Sequence, residues 1–235
     1  DKRGVEETGR LIERFGTQEI LDITGVPPSE MFELPKLMWL NENTDVIQKA
    51  DKILFYEDFV GYVLTGKRMV SYSSAARSMA FGIREKEWSQ KLLSAAGVRV
   101  EQMSAPAEAG RIIGKILPGA ARRLNLNPEL LVVTGGHDQN CAALGSGLDG
   151  IKVGECGLGT CEFTFLMLPR PVRSAAMIDS DLTCIPYVFP DTYLTSLEVT
   201  TCGVLKNWGR DTIFSGISKE CERRGEDFYT HMDRV

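Results

Sequence analysis

From residue 3 onward, apolar residues recur at helical spacing. "RGVEETGRLIERFG" (residues 3–16) reads as an amphipathic helix that runs into a glycine. "TGVPPSE" (24–30) is a turn carrying two prolines, and "LPKLMWLNEN" (34–43) resumes the helical period, with Leu37 and either Leu40 or Trp39 on the inner face. In "VIQKADKILFYEDFVGYVLTG" (46–66) a short apolar, strand-like piece precedes a helix that stops at Gly66. Trp88, Leu92, Leu93, Ala95 and Ala96 predict a helix from about Glu87 that ends at Gly97.

From Ala109 the texture changes. In "GRIIGKILPGAARRLNLNPELLVVTGG" (110–136) short apolar runs alternate with a Pro-Gly turn and a small helix, as in an α/β sheet domain, and "ELLVVT" predicts a buried strand. "KVGECGLGTCEFTFLMLP" (152–169) predicts a β-hairpin with "GLGT" at its tip, "IPYVFPDTYLTSLEV" (185–199) reads as strands, and "VLKNWGRDTIF" (204–214) as a helix. A domain boundary is expected near Gly150.

Composition narrows the function class. The 235 residues are 43% hydrophobic and carry a net charge of -5 with no long basic run, which removes the footprint of a nucleic-acid binder. Neither a membrane span nor a signal peptide is expected, so the compartment predicted is the cytoplasm. The six cysteines form no C-x-x-C pair and only His137 and His231 could join them at a metal, so free thiols are expected.

Three stretches can carry chemistry. In "GGHDQNCAALGSG" (135–147) a strand ends on two glycines that would admit a ligand to the backbone and tolerate positive φ, with Asp138 at or near the N-cap of a small-residue helix. The same pattern also fits a plain capped turn. Gly157-Leu158-Gly159-Thr160 would present backbone N–H groups and a hydroxyl to a phosphate, or simply close a tight hairpin. "TGKRMVSYSSAARSMAF" (65–81) crowds Ser71, Tyr72, Ser73, Ser74, Arg77 and Ser78 together, for a polyhydroxylated ligand or, the favoured reading, for close helix packing.

In order and separation, "LPKLMWL", "DFVGYVLTGK" with "SYSSAAR", "GGHDQNCAALGSG" and "GLGTCEF" resemble the FGGY family of carbohydrate kinases, xylulokinase-like members included. The resemblance implies an α/β chain of the ribonuclease H-like, actin-like ATPase fold, with two domains around a cleft. Residues 1–149 would be the latter part of the N-terminal sugar-binding domain and 150–235 the beginning of the C-terminal ATP-binding domain. It implies ATP-dependent phosphorylation, with Mg²⁺, of a hydroxyl on a ketopentose or related ketose, sugar acid or polyol. Asp138 matches the family's catalytic aspartate and Gln139 its neighbour at the substrate. Asp1, with Arg3, looks like the remnant of a sugar-lining segment, and Gly159 and Thr160 match the loop that holds ATP phosphates. No metal-binding residue is assigned.

The partners implied are a small-molecule sugar and ATP, with no nucleic acid or membrane; a homodimer stays open. The family's amino-terminal D-x-G-T turn and carboxy-terminal adenine-seating glycines do not occur in these residues, so the chain reads as a central fragment, incomplete at both ends and not a competent kinase alone. Met31 near the place where glycerol kinases carry a tyrosine argues against glycerol. A non-catalytic sugar- or nucleotide-binding module on the same fold is the alternative. A nucleotide-dependent oxidoreductase is disfavoured, because no G-x-G-x-x-G opens a βαβ unit.

Overall fold

The computed structural model describes residues 3–159, 161–172, 174–180, 182–199 and 201–234. Asp1 and Thr160, both expected at the functional site, lie outside the described residues. The chain divides into two compact units, residues 1–155 with 165–196, and residues 156–164 with 197–235.

The first unit opens with α1 (Val5–Phe15) and α2 (Thr17–Thr24). In α1, Glu6 and Glu7 occupy the first turn and Arg14 the last, each charge complementing the helix dipole. Gly25 ends α2 at φ +71°, and a Cβ there would lie 1.9 Å from the Cys184 carbonyl oxygen. Glycine is therefore needed at this position twice over, for the left-handed backbone and for the contact that lets Gly25 O accept the Cys184 N–H at 2.6 Å.

Next come α3 (Glu33–Asn43), α4 (Val46–Lys49), α5 (Tyr56–Thr65), β1 (Met69–Ser71) and α6 (Tyr72–Ala76). Helix α5 stops where Gly66 turns left-handed and donates back to Tyr62 O, as its sequence predicts. Ser71 caps α6 by accepting the Ser74 N–H. The piece "KILF" forms no strand; one backbone bond, Ile53 N–H to Gln102 O at 2.8 Å, anchors it.

Strands β2 (Phe81–Gly82) and β3 (Glu87–Trp88) pair antiparallel, so the predicted helix starts later than its apolar spacing suggests. Ser89 caps α7 (Gln90–Ala95) and hands Trp88 to the strand. Strand β4 (Ala105–Ala107) runs parallel to β1. Phe81, Leu92, Leu93, Ile20, Leu21 and Leu34 are fully buried in the core around these elements. Trp88 packs edge-to-face on Phe81 at 5.7 Å and satisfies its indole N–H on Ser104 O at 2.7 Å.

Strand β5 (Ile112–Lys115), α8 (Pro118–Leu124) and β6 (Leu131–Val133) follow, with β5 and β6 antiparallel. Contrary to the buried strand expected there, Leu131 and Val133 are 55% and 48% exposed. Apolar residues on both faces of "LLVV" mark a strand made for two-sided cover, and β5 is its one sheet neighbour among the described residues. Helix α9 (Asp138–Gly145) comes next.

Strands β7 (Gly154–Leu158) and β8 (Glu162–Leu168) are neighbours in a four-stranded sheet of order β7-β8-β10-β9, as the hairpin reading predicts. Its other strands are β9 (Thr183–Pro186) and β10 (Tyr193–Val199), antiparallel with Thr195 opposite Cys184, and α10 (Ala175–Asp179) precedes β9. The second unit continues through α11 (Gly203–Asp211), α12 (Ser215–Arg224) and α13 (Phe228–Met232). All six cysteines are free thiols. No helix among the described residues is long and apolar enough to cross a membrane.

Candidate active site

The first unit contains a cleft of about 740 Å³. One wall is the turn into α3, with Met31, Phe32 and Glu33; another is the start of α5, with Phe55, Tyr56, Glu57 and Phe59. Ser74 and Arg77 contribute from α6, and Gly136, His137 and Asp138 from the loop into α9. Tyr56 is 92% exposed, a flat apolar surface at the cleft. The Arg77 guanidinium lies over the Phe32 ring at 4.8 Å. Burial pushes the Glu33 carboxyl above its ordinary range, with Lys36 and Arg77 pulling the other way.

Asp138 is the first residue of α9; His137 occupies the cap position ahead of it. The Asp138 side chain is 83% exposed, and its Oδ1 accepts the Gln139 N–H at 2.7 Å and lies 3.3 Å from His137 Nε2. The loop is tied down by a buried polar chain. The His137 N–H donates to Ser73 Oγ at 3.0 Å, Ser73 Oγ meets Ser71 Oγ at 3.3 Å, and Ser71 donates to Glu57 through N–H at 3.1 Å and Oγ at 2.8 Å. The hydroxyl cluster therefore divides. Ser71, Ser73 and Ser78 are buried, as close packing predicts, while Ser74 and Arg77 face the cleft.

The glycines act differently from the expectation. Neither Gly135 nor Gly136 has positive φ. A Cβ on Gly136 would stand 3.1 Å from Ser73 Oγ and 3.4 Å from Cys141 Sγ, so Gly136 allows the loop to approach α6 closely. Within α9, Asn140 and Ala143 are buried, but a Cβ on Gly145 would meet nothing within 4 Å, so the small residues are not all used for packing.

Burial, and next the Arg77 guanidinium, hold the His137 imidazole below the ordinary histidine range against the opposing pull of Asp138. The structure thus brings Asp138 together with Arg77, Glu33 and Tyr56 in one cleft. Gln139 is half-buried and is not among the cleft-lining residues. Gly159 is exposed in the second unit; its N–H donates to Cys161 O at 2.9 Å and its carbonyl accepts the Gly203 N–H at 3.0 Å. Glu33, Glu57 and Tyr56 escaped sequence reasoning. Glu57 is 14 residues from Ser71, and only the fold joins them.

Residues 1–145 match the sequence model of the FGGY family of carbohydrate kinases, N-terminal domain. The chain belongs to the FGGY family of carbohydrate kinases. This FGGY chain is 31% identical over 161 residues to the xylulose kinase of Bacillus subtilis, a match covering 68% of the chain and 32% of that protein. It is 25% identical over 239 residues to the autoinducer-2 kinase of Salmonella typhimurium, covering 99% of the chain and 44% of that protein. The crystal structure of ligand-bound xylulose kinase from Lactobacillus acidophilus superposes with a TM-score of 0.84 at 23% identity, over 99% of this chain and 45% of that one. The fold is thus the α/β fold of the sugar kinases, the actin-like ATPase fold. The FGGY chain spans between about a third and somewhat under half the length of these relatives.

Proposed function

We propose that this chain carries the sugar-acceptor side of an ATP-dependent carbohydrate kinase, in which Asp138 orients and deprotonates the hydroxyl that receives the phosphoryl group. The observation behind the reading is the Asp138 carboxylate, exposed at a cleft yet fixed at its backbone by the His137-to-Ser73 bond. A charged acceptor held in place can align a hydroxyl for in-line attack. In a loose phosphoryl-transfer transition state the proton leaves late, so alignment contributes more than basicity.

The cleft suits a polyhydroxylated ligand. Glu33, Glu57 and Asp138 supply acceptors, Arg77 a cation, and Tyr56 an apolar face for the ring or chain carbons. Asp1 would complete the sugar contacts, and Gln139, which does not line the cleft, would join them only by turning its side chain toward it. On this reading residues 1–149 are the latter part of the sugar-binding domain and residues 150–235 the beginning of the ATP-binding domain. The relatives' names favour a ketopentose such as xylulose or a related ketose, ahead of sugar acids and polyols.

ATP, with Mg²⁺, would supply the phosphoryl group. Exposed Gly159 leaves room for a phosphate, but its N–H is already donated to Cys161 O at 2.9 Å, so Thr160 would supply the contact with its hydroxyl. Mg²⁺ would be held largely by the ATP phosphates and water, with one or two carboxylates at most. The group among the described residues spaced to hold a metal, Cys221, Glu226 and His231, pairs a thiol and an imidazole with one carboxylate and suits a softer ion.

ADP release by the full-length protein with Mg-ATP, measured against a panel of ketoses, sugar acids and polyols, tests the proposal. Turnover with one class is the expected result. ATP and sugar binding without turnover on any would replace the kinase with a binding module.

A further inference from the structure

Cys221, Glu226 and His231 recur at every fifth residue. On one unbroken α-helix such residues would point about 140° apart and would not meet. The chain breaks instead. Helix α12 ends at Gly225, which is left-handed at φ +66°, and the Glu226 N–H returns to Cys221 O at 2.9 Å, closing the turn of a glycine-capped helix end. Asp227 then caps α13, its Oδ2 accepting the Thr230 N–H at 2.8 Å. The reversal gathers the three side chains. One ligand atom from each, the Cys221 Sγ, a Glu226 carboxylate oxygen and a His231 ring nitrogen, lies within 4.8 Å of the other two.

We propose that Cys221, Glu226 and His231 bind one Zn²⁺, with water in the fourth position, and that the ion fastens α13 to the end of α12. A thiol, an imidazole and a single carboxylate fall short of the roughly six oxygens that Mg²⁺ or Ca²⁺ takes and match the borderline-soft Zn²⁺. Bonds of about 2.0–2.3 Å in a tetrahedron set the donor atoms about 3.3–3.7 Å apart, so side-chain shifts of about 1 Å close the site. Glu226 Oε2 already stands 3.2 Å from His231 Nδ1. Zn²⁺ takes the place of the hydrogen between them; the imidazole then carries its hydrogen on Nε2, and the Cys221 thiol proton passes to solvent.

The surroundings suit an ion. Arg234 Nη1 donates to Glu226 Oε1 at 2.9 Å, an outer partner that orients the carboxylate and leaves Oε2 for the metal. Arg223 and Arg224, the cations in the last turn of α12, pair with Glu220 instead. The helices also have little else to fasten them. Among the described residues α11 and α13 hold no buried residue and α12 only Cys221, while the Phe214 and Phe228 rings meet at 6.4 Å. Small units that bury so little apolar surface gain most from a metal or a disulfide.

Metal titrations of the full-length protein, stripped with a chelator and kept reduced, test this. Zn²⁺ is added in competition with a chromogenic chelator, and Co²⁺ serves as a spectroscopic probe. The wild type should bind one equivalent of Zn²⁺ that Cys221→Ser and His231→Gln each weaken by about a hundredfold or more, Arg234→Gln by about tenfold, and Cys156→Ser, a thiol outside the group, not at all. Co²⁺ should give the visible bands of a tetrahedral site and a thiolate charge-transfer band that Cys221→Ser abolishes. Zn²⁺ should raise the Tm of the wild type and not that of His231→Gln, a partly exposed position whose change leaves the buried thiol in place. No binding at micromolar Zn²⁺, an octahedral Co²⁺ spectrum, or an affinity that neither Cys221→Ser nor His231→Gln moves overturns the site. A wild-type Tm that bound Zn²⁺ leaves unchanged overturns the fastening of α13.

Discussion

Ser73→Ala removes the side chain whose hydrogen bond ties the loop ahead of Asp138 to α6. Ser73 is 3% exposed, and its Oγ accepts the His137 N–H at 3.0 Å across 64 residues of sequence. The alanine variant removes the acceptor of that part-buried backbone donor at the edge of the cleft. An unsatisfied buried group costs about 1–3 kcal/mol. For a body of this size each kcal/mol moves Tm by roughly 2–4 °C, so a loss on the order of 2–12 °C is expected in a thermal melt. Activity should fall further than stability suggests. Asp138 follows His137 directly, and a displacement near 1 Å at a reacting group costs up to about a hundredfold in rate. The assay pairs the melt with kcat and KM on the preferred sugar. A melt within about 0.5 kcal/mol of wild type, with kcat unchanged, would refute the reasoning, because it would mean that the loop is held by something other than Ser73.

Three other outcomes follow from the packing and the charges. Gly25→Ala should cost at least about 3 kcal/mol and sharply reduce soluble yield, since its Cβ would overlap the Cys184 carbonyl and its φ is +71°; a stable variant would contradict the contact. Asp58 is 1% exposed and its carboxyl is raised above the ordinary range, by burial first and against the Ser104 hydrogen bond. Because the native state then holds a proton that the unfolded chain releases, stability should fall as pH rises from the ordinary carboxylate range through the raised Asp58 value; Asp58→Asn should flatten that slope, and an unchanged slope in urea titrations would count against it. Cys184 is fully buried with its thiol pushed up to about 11, so at pH 8 about one in a thousand is thiolate; iodoacetamide with mass mapping should label exposed Cys156 and spare Cys184, and the reverse order would contradict the burial.

Local signals carried most of the element order. Gly66 ends α5, and β7 and β8 lie side by side as the hairpin reading expects although Gly157 and Leu158 belong to β7, because both features are written within a few neighbouring residues. The Asp138 turn was legible for the same reason, as a strand, two glycines and a helix start in sequence. What supports that turn was not. Glu57, Ser71, Ser73 and His137 form one polar chain only after α5, β1 and α6 are packed, and no periodicity links positions 14 and 64 residues apart. Gly136 was legible as a site of close approach but not as a contact for Ser73. The apolar pattern of "LLVV" reports burial of a strand in its intended surroundings, and so mispredicts the exposure of Leu131 and Val133 beside a single partner. The start of α7 shows the limit of apolar spacing, since Ser89 as a cap overrides a pattern that extends back to Trp88.

The most direct test of the account is kcat for Asp138→Asn in the full-length protein with Mg-ATP and the best sugar of the panel, with sugar affinity measured alongside. The account predicts a fall of about a thousandfold or more in kcat with sugar binding retained, because the amide preserves the shape of the site and removes its proton acceptor. Turnover within about tenfold of wild type would contradict the central claim that the Asp138 carboxylate at the start of α9 directs the attacking hydroxyl.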